Sequence, residues 1–531
     1  MKKRILSIFV CFSLILVLPV LLSAKNTKLT ILHANDTHSA MVSFGPRGCY
    51  GGIARMATLI NRLKAKHSNV LVFHAGDVWV GSFEFNAFFG YPELKIMEGM
   101  YDVMCLGNHE LDLGLDTLFY VLNGAGTGNP VNLPILCANI NLGTHPLSSF
   151  IQPWIIKEIG DLKIGIFGIV TTDPENYSPE INAVLTDAAE AAGNMASYLR
   201  DTENCDVVIC LSHCGKGYDE GVLFEVPGID IIVGGHSHDA YKHPVKMGGK
   251  IIVQAGAFGK HLGELNVQIK KSRIKFAGYK LHNVNLKIPK NPMVQTQVET
   301  VKAGVNAMFG IFGDVYADRL SFALKPHEEI WEDGNPYRDT PLGNLIADAL
   351  KNRLEYRGST VDIALEAMGY IAHKLYIGKI VGNDIMRAVP YGYDPSTGLG
   401  FKIKRVLLHR DQILAGLEFT VSNVENTDNF SLQVSGLSFE YDSSLTPVAG
   451  SIVRVDPFSV MVNGVSIFAS DLYWVAMNEQ LLAFLENLGL VPLSVEDPGV
   501  NEFTLVYEYV QQYGLLSYDA EGRIIDRAIG K

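Results

Sequence analysis

The stretch 29-LTILHANDTHS-39 joins an apolar run to a short polar segment, and this junction decides the fold. Continuous apolar runs of this length are typical of strands that are covered on both faces. Further apolar runs in the first half of the chain end in the same way, at Asp77, Asn108, His213 and His236. Because ligands of α/β sheets collect beyond the carboxyl ends of the strands, the pattern predicts one cluster of carboxylate, amide and imidazole groups.

Strand-like runs alternate with helical patterns as far as about Leu286, which predicts a layered α/β domain over residues 25–289. A Pro- and Lys-containing break follows, and the next periodic segment predicts a linker helix over residues 290–309. Beyond it the strands are shorter and mixed with helical patterns. Residues 310–531 are therefore predicted to form a second, mixed α+β domain.

The formal net charge of −12 bears on the class of partner. Acidic residues are spread along the chain, and such a surface repels nucleic-acid backbones. A nucleic-acid polymer is therefore excluded as a partner. A small phosphorylated substrate at a locally positive site remains compatible with the charge.

The N-terminus has the pattern of a secretory signal. Basic residues 2–4 precede an apolar run over residues 5–22, and small residues follow at 23–24. This predicts a signal peptide over residues 1–24 and a periplasmic or extracellular protein with no stable membrane span after cleavage. The run is also long enough to be an uncleaved anchor, and the sequence leaves that alternative open.

The polar residues at the strand ends suit a pair of divalent metal ions. Two such ions lie about 3.5–4 Å apart and need a shared carboxylate between them, for which Asp77 is the natural bridge. Asn108 offers a neutral oxygen. The full predicted ligand set is Asp36, His38, Asp77, Asn108, His213, His236 and His238.

His109 has a different predicted role. It follows Asn108 directly, and adjacent side chains diverge, so it does not readily share that residue's metal. Asp112 lies three residues further on and is predicted to orient and charge the imidazole. The pair is therefore predicted to act in acid–base catalysis.

These motifs resemble the 5′-nucleotidase/UDP-sugar hydrolase family of calcineurin-like metallophosphoesterases. The resemblance covers the whole first domain in the family's order. The segments that carry it are 32-LHANDTHS-39, 51-GGIARMATLI-60, 75-AGDVWVGS-82, 106-LGNHELDLG-114, 212-SHCGKG-217, 234-GGHSHD-239 and 254-QAGAFGKHLG-263.

The resemblance implies two divalent ions, such as zinc, manganese or cobalt, and attack of a metal-bound hydroxide on phosphorus. It implies that His109 and Asp112 form the catalytic dyad. It also divides the ligands between the two ions. One ion would be held by Asp36, His38, Asp77 and His238, and the other by Asp77, Asn108, His213 and His236.

In the second domain the resemblance implies a substrate-binding module of the 5′-nucleotidase type, in a divergent form. Arg338, before 341-PLGNLIADAL-350, resembles the segment whose arginine contacts the substrate. The segment 390-PYGYD-394 replaces the family's Pro-Phe segment, and Tyr391 or Tyr393 is predicted to stack on a base.

Two other family segments are absent from their expected places. The family's Asn-Gly-Gly-Gly-Ile-Arg loop is replaced by 367-AMGYIA-372, which lacks the asparagine and the arginine. No Gly-Gly-Asp-Gly loop follows 475-VAMNEQLL-482. The hydrolytic machinery is thus predicted to be complete, whereas the nucleoside-binding residues are rewritten.

The function expected from these observations is an exported dinuclear-metal phosphohydrolase that releases phosphate from nucleotides. Two alternatives stay open. The same metals serve a 2′,3′-cyclic nucleotide phosphodiesterase or a nucleotide-sugar pyrophosphatase. A non-catalytic surface-binding protein is disfavoured, because buried carboxylates and imidazoles are costly to keep together without a metal.

Overall fold

A computed structural model describes residues 26–270, 273–328, 338–425 and 430–528. The predicted signal peptide, residues 1–24, lies outside these ranges. Within them, every helix is too short or too polar to cross a lipid bilayer.

The first domain contains strands and helices in alternation, as the sequence predicts. Its strands are β1 (Thr27–Ala34), β2 (Val70–His74), β3 (Val103–Cys105), β4 (Ile135–Leu136), β5 (Ile151–Gln152), β6 (Trp154–Ile159), β7 (Leu162–Val170), β8 (Val207–His213), β9 (Ile231–Gly234), β10 (Val245–Met247), β11 (Lys250–Val253), β12 (His261–Lys270) and β13 (Arg273–Asn283). Its helices are α1 (Ile53–Lys66), α2 (Phe83–Phe88), α3 (Tyr91–Met97), α4 (Gly114–Leu122), α5 (Pro179–Asn182), α6 (Ala188–Ser197) and α7 (Lys216–Gly221).

These strands form two sheets rather than one. The first has the order β13-β12-β1-β2-β3-β4-β5 and the second the order β10-β11-β9-β8-β7-β6. In β1, Leu29 and Ile31 pack between the sheets, whereas Leu32 faces the outer helices. Both faces of the strand are therefore buried, which explains its continuous apolar run.

Helices cover the outer face of each sheet. Met56 and Ile60 of α1 pack on the first sheet, and Ala192 and Ala196 of α6 pack on the second. The domain thus has four layers, helix–sheet–sheet–helix. This arrangement brings the carboxyl ends of β1, β2 and β3 beside those of β8 and β9.

Helix α8 (Pro292–Met308) lies within the predicted linker. The Asn291 side chain accepts hydrogen bonds from the backbone N–H groups of Met293 and Val294, and Pro292 occupies the first turn, as is usual at a helix start. The helix packs against α1 and α2 of the first domain. The domain boundaries at residues 289, 309 and 310 remain predictions.

The second domain mixes helices with short strands, which confirms the predicted class. Its strands are β14 (Ser321–Ala323), β15 (Ile363–Ala367), β16 (Gly378–Ile380), β17 (Ile403–His409), β18 (Leu432–Ser435), β19 (Leu437–Tyr441), β20 (Met461–Val462), β21 (Val465–Ser466), β22 (Leu472–Asn478), β23 (Ser494–Glu496) and β24 (Ile524–Asp526). Its helices are α9 (Pro341–Tyr356), α10 (Gly382–Ala388), α11 (Arg410–Val421), α12 (Glu479–Asn487) and α13 (Glu502–Gln511). The main sheet has the order β18-β15-β22-β17-β23.

A pair of buried carboxyl groups lies where β15 meets α13. Glu366 accepts hydrogen bonds from Asn478 Nδ2 at 3.0 Å and from the backbone N–H of Ala367 at 3.0 Å. Burial raises the pKa of Glu366 to about 7, and burial beside Glu366 raises the pKa of Glu502 well above its usual range. The folded state therefore favours the protonated pair.

Glu366→Gln is expected to stabilise the protein at pH 8 and to leave its stability unchanged at pH 4. The pKa of Glu366 is higher in the folded than in the unfolded protein. The carboxyl pair therefore stabilises the folded state fully below about pH 4.5, and this stabilisation is lost as the pH rises through about 7. Glutamine keeps the acceptor without ionising, so the free energy of unfolding at pH 8 should rise by about 1–3 kcal/mol in urea titrations. Glu496→Gln, on the exposed strand β23, is the control. An equal effect at both pH values would contradict the expectation.

Candidate metal centre and active site

The predicted metal ligands come from both sheets of the first domain. The first sheet contributes Asp36 and His38 after β1, Asp77 after β2 and Asn108 after β3. The second contributes His213, the last residue of β8, and two histidines after β9. Three groups of side chains each have their ligand atoms within 4.8 Å of one another, namely Asp36–His38–His238, His38–Asp77–His109 and Asp77–His213–His236.

Short distances link these groups into one cluster. His213 Nε2 lies 3.0 Å from Asp77 Oδ2, and His38 Nε2 lies 2.9 Å from His238 Nε2. Asp77 belongs to two of the three groups, which is the position expected of a bridging carboxylate. The structure therefore places six of the seven predicted ligands, together with His109, in one cluster.

Backbone carbonyl groups orient two of the imidazoles. His213 Nδ1 lies 2.6 Å from the carbonyl oxygen of Ala75, and His38 Nδ1 lies 3.2 Å from that of Trp79. In each case Nδ1–H donates to the carbonyl, so Nε2 faces the cluster. This is the usual support of a metal-binding histidine.

The donor set fits divalent metal ions. Asn108 Oδ1 is buried and has no hydrogen-bond partner among the described residues, and a metal ion would supply one. Burial opposes ionisation of Asp77, but the His213 and His109 imidazoles hold the pKa of Asp77 well below its usual range. Burial also opposes ionisation of Asp36, but His238 lowers the pKa of Asp36 to about 2. A set of ionised carboxylates, imidazole nitrogens and an amide oxygen suits ions such as zinc or manganese.

The backbone at the cluster is strained. Five ligands have left-handed φ angles, which non-glycine residues rarely adopt, at a cost of about 1–3 kcal/mol each. They are Asp36 (φ 49°), His38 (φ 45°), Asp77 (φ 56°), His236 (φ 75°) and His238 (φ 58°). The surrounding structure must therefore hold these residues in place.

Glu110 is one source of that support, and it was not among the residues predicted from the sequence. Its carboxylate accepts hydrogen bonds from the backbone N–H groups of Val78 (2.7 Å), Gly107 (2.8 Å) and Trp79 (3.1 Å). It thereby ties the loop that carries Asp77 to the loop that carries Asn108. Its place in the Gly-Asn-His-Glu motif was the available signal.

His109 and Asp112 form the predicted pair. His109 Nδ1 lies 2.7 Å from Asp112 Oδ2, and its Nε2 lies 3.9 Å from Asp77 Oδ2, at the edge of the cluster. Burial alone would lower the pKa of His109, but Asp112 and Asp77 raise it to about 10. The imidazole is therefore a cation that can donate a proton to a leaving group or stabilise negative charge.

The second domain reaches the cluster through Tyr391. Its ring centroid lies 5.7 Å from that of His109, whereas the Tyr393 ring packs on Phe89 at 5.1 Å. Arg338 precedes α9, and its carbonyl oxygen accepts a hydrogen bond from Gln433 Nε2 at 3.1 Å. A substrate-binding role for Arg338 remains a prediction.

Phe258 forms another wall of the site. Its ring centroid lies 5.5 Å from His38 and 5.4 Å from His238. Phe258 lies in the segment 254–263, one of those that carry the family resemblance, but it was not among the predicted site residues. An aromatic side chain on two metal ligands excludes water from that side of the cluster.

Comparisons with known proteins agree with this geometry. A family model described as calcineurin-like phosphoesterase matches residues 29–240, and a model of the 5′-nucleotidase C-terminal domain matches residues 325–483. Together they match more than half of the chain.

Several similar proteins are described as nucleotide phosphoesterases or 5′-nucleotidases. The chain is 26% identical to a trifunctional nucleotide phosphoesterase of Bacillus subtilis over 93% of its own length and 35% of that protein. It is 29% identical to the 5′-nucleotidase of Bos taurus, over 80% of the chain and 77% of that protein. The crystal structure of a 5′-nucleotidase precursor from Thermus thermophilus superposes with a TM-score of 0.80 at 25% identity, covering 94% of this chain and all of that one.

The chain spans between 35% and 59% of the length of the first three curated relatives that it matches. These relatives are nucleotide phosphoesterases, and the phosphoesterase family uses divalent metals. The two matched domains, in this order and around this cluster, identify the chain as a member of the 5′-nucleotidase family of calcineurin-like metallophosphoesterases.

Proposed function

We propose that this protein is an exported phosphohydrolase that uses two divalent metal ions to release phosphate from nucleotides. The observation that supports the proposal best is the ligand cluster around Asp77, with the charged pair of His109 and Asp112 at its edge. A binding protein has no need of a protonated imidazole held beside a metal-binding carboxylate.

The metals would be held by Asp36, His38, Asp77, Asn108, His213, His236 and His238. When bound, such ions activate water and neutralise the charge of the phosphoryl group. His109 would donate a proton to the leaving oxygen, because Asp112 and Asp77 keep its imidazole protonated. Phe258 and Tyr391 would enclose the reacting groups.

The test is phosphate release by the purified chain with manganese, zinc or cobalt. The substrates are AMP, UMP, 2′,3′-cyclic AMP, UDP-glucose and an aryl phosphate, and coupled assays report product formation from the diester and the sugar nucleotide. Faster turnover of AMP and UMP than of the aryl phosphate is expected. Preference for the cyclic nucleotide or for UDP-glucose would replace the nucleotidase assignment with one of the two alternatives. Absence of turnover with every metal would overturn the proposal.

Tyr391→Leu is expected to raise the KM for AMP by about 5- to 100-fold, because stacking on a base contributes about 1–3 kcal/mol. The KM for an aryl phosphate, which has no nucleoside, should change less. Tyr393→Leu is the matched control, since the Tyr393 ring packs on Phe89 instead. Equal KM changes for both substrates would show that Tyr391 only packs on His109.

Export is supported by the basic, apolar and small residues over positions 1–24. Fractionation of a bacterial host that expresses the full chain tests it, together with the N-terminal mass of the product. A product that starts near residue 25 outside the cytoplasm is expected. An intact N-terminus in the membrane fraction would favour the anchor, and an intact product in the cytoplasm would exclude export.

A further inference from the structure

The segment 254–256 leads from the second sheet to the first and lies beside the metal cluster. It follows β11 and precedes β12, and these two strands belong to different sheets. Gln254 is only 1% exposed, although a glutamine side chain is ordinarily exposed. A buried amide group needs hydrogen-bond partners, and here those partners are the neighbours of metal ligands in the chain.

The Gln254 side chain binds the loop that carries His236 and His238. Its Nε2 donates a hydrogen bond to the carbonyl oxygen of Gly235 at 3.1 Å and lies 3.2 Å from Ser237 Oγ. The Ser237 hydroxyl donates to Gln254 Oε1 at 3.3 Å. Gly235 and Ser237 flank His236 in the chain. The amide group of Gln254 therefore fixes the loop on both sides of this ligand.

Asn35 makes the corresponding contact with the loop that carries Asp36. It is 2% exposed. Its Oδ1 accepts a hydrogen bond from the backbone N–H of Ala255 at 2.8 Å, and its Nδ2 donates to the carbonyl oxygen of Gly256 at 2.6 Å. Nδ2 also donates to Asp36 Oδ2 at 2.5 Å. The segment 254–256 therefore holds one ligand loop from each sheet.

The two ligand loops are also bonded to each other, which closes the hydrogen-bond network. The backbone N–H of His236 lies 3.0 Å from both carboxylate oxygens of Asp36. Hydrogen bonds thus lead from Gln254 through the His236 loop to Asp36. They return through Asn35 to the segment 254–256. Each loop in this closed network is held from two directions.

Such support is needed because the histidine loop is strained and closely packed. His236 has a φ angle of 75° and His238 one of 58°, and backbone of this kind persists only where its surroundings hold it. A Cβ atom on Gly235 would lie 2.4 Å from the carbonyl oxygen of Ala75, so the loop lies directly against the first sheet. Glu110 joins two loops of the first sheet, whereas the closed network joins the two sheets.

We propose that Gln254 is a positioning residue that keeps His236 and His238 in the arrangement that binds metal. It acts through the carbonyl group of Gly235 and the hydroxyl group of Ser237. Hydrogen-bond partners that orient metal ligands typically contribute about 10- to 100-fold to metal affinity. The inference rests on the proposed function, because it requires that the cluster binds divalent ions.

The experiment is Gln254→Met in the full chain. Methionine has a similar volume but cannot donate a hydrogen bond to Gly235. Competition with a chromophoric chelator measures zinc affinity, and the dissociation constant is expected to rise by about 10- to 100-fold. At saturating metal, kcat for AMP should stay within about threefold of the wild-type value, because the ligands themselves are intact. Unchanged zinc affinity would overturn the inference.

Gln433→Met is the matched control, because Gln433 is a buried glutamine of the second domain. Its Oε1 accepts a hydrogen bond from the backbone N–H of Thr340 at 2.7 Å, and its Nε2 donates to the carbonyl oxygen of Arg338 at 3.1 Å. The control should unfold at a lower urea concentration but keep the wild-type zinc affinity. Equal losses of zinc affinity in the two variants would show that Gln254 contributes only to general stability.

Two further outcomes separate this inference from the proposed function. A wild type that binds zinc but releases no phosphate refutes the proposed function, and the zinc affinities still decide the role of Gln254. A wild type that binds no zinc refutes both. In the metal-free protein, Gln254→Met is expected to speed amide hydrogen exchange over residues 234–239, measured by mass spectrometry. Equal exchange in variant and wild type would overturn the inference whatever the turnover.

Discussion

Asp77→Asn is expected to lower phosphate release from nucleotides by at least about a thousandfold, a loss of about 4 kcal/mol of transition-state stabilisation. Asp77 is 1% exposed, shares two of the three ligand groups and lies 3.0 Å from His213. An amide keeps the shape but removes the charge that would lie between two bound metal ions. The mutual repulsion of such ions would then oppose double occupancy, so the variant should bind fewer than two metal ions.

Two measurements check this expectation. Turnover is measured with saturating manganese, and bound metal is measured by elemental analysis after gel filtration. Asp102→Asn is the control, because Asp102 accepts a hydrogen bond from the backbone N–H of Val72 at 2.8 Å and asparagine can still accept it. An Asp77→Asn protein with full metal content and more than a tenth of the wild-type rate would refute the bridging role.

His109→Asn is expected to lower kcat for AMP by about 10²- to 10⁴-fold, the usual contribution of a general acid, while metal content stays unchanged. The reason is that the variant lacks the imidazole that Asp112 keeps protonated, so no proton is donated to the leaving oxygen. The loss should be much smaller for a nitrophenyl phosphate, whose leaving group needs no proton. His243→Asn, at an exposed position, is the control.

The pair of His109 and Asp112 also predicts how kcat changes with pH. Asp112 raises the pKa of His109, and the general acid must be protonated to act. In Asp112→Asn that pKa falls, so the decline of kcat with rising pH should begin at a lower pH than in the wild type. An unchanged pH profile, or an equal loss for both leaving groups in His109→Asn, would exclude the role as general acid.

Much of the metal centre is predictable from local sequence. Asp36, Asp77 and Asn108 follow apolar strands, and this pattern alone places them at one edge of a sheet. The division into two sheets is not predictable in this way, because strand partners depend on contacts between distant segments, such as β1 with β12. His213 and His236 therefore reach the site from a sheet that the local pattern does not distinguish.

Residues that act through distant partners escape local patterns. Glu110 binds backbone N–H groups about thirty positions away, and its place in the Gly-Asn-His-Glu motif gives no information about those partners. Arg387 lies in α10, and an arginine is ordinarily exposed. Only the fold shows that it packs on Phe44, more than three hundred residues earlier.

The left-handed φ angles of the five predicted metal ligands affect which substitutions this protein would accept during evolution. Most substitutions that relax such residues, above all to glycine, should make the polypeptide more stable while abolishing catalysis. Selection for stability and selection for activity therefore favour different residues at these positions. A lineage in which phosphate release is no longer selected would be expected to lose these residues early and to keep the fold.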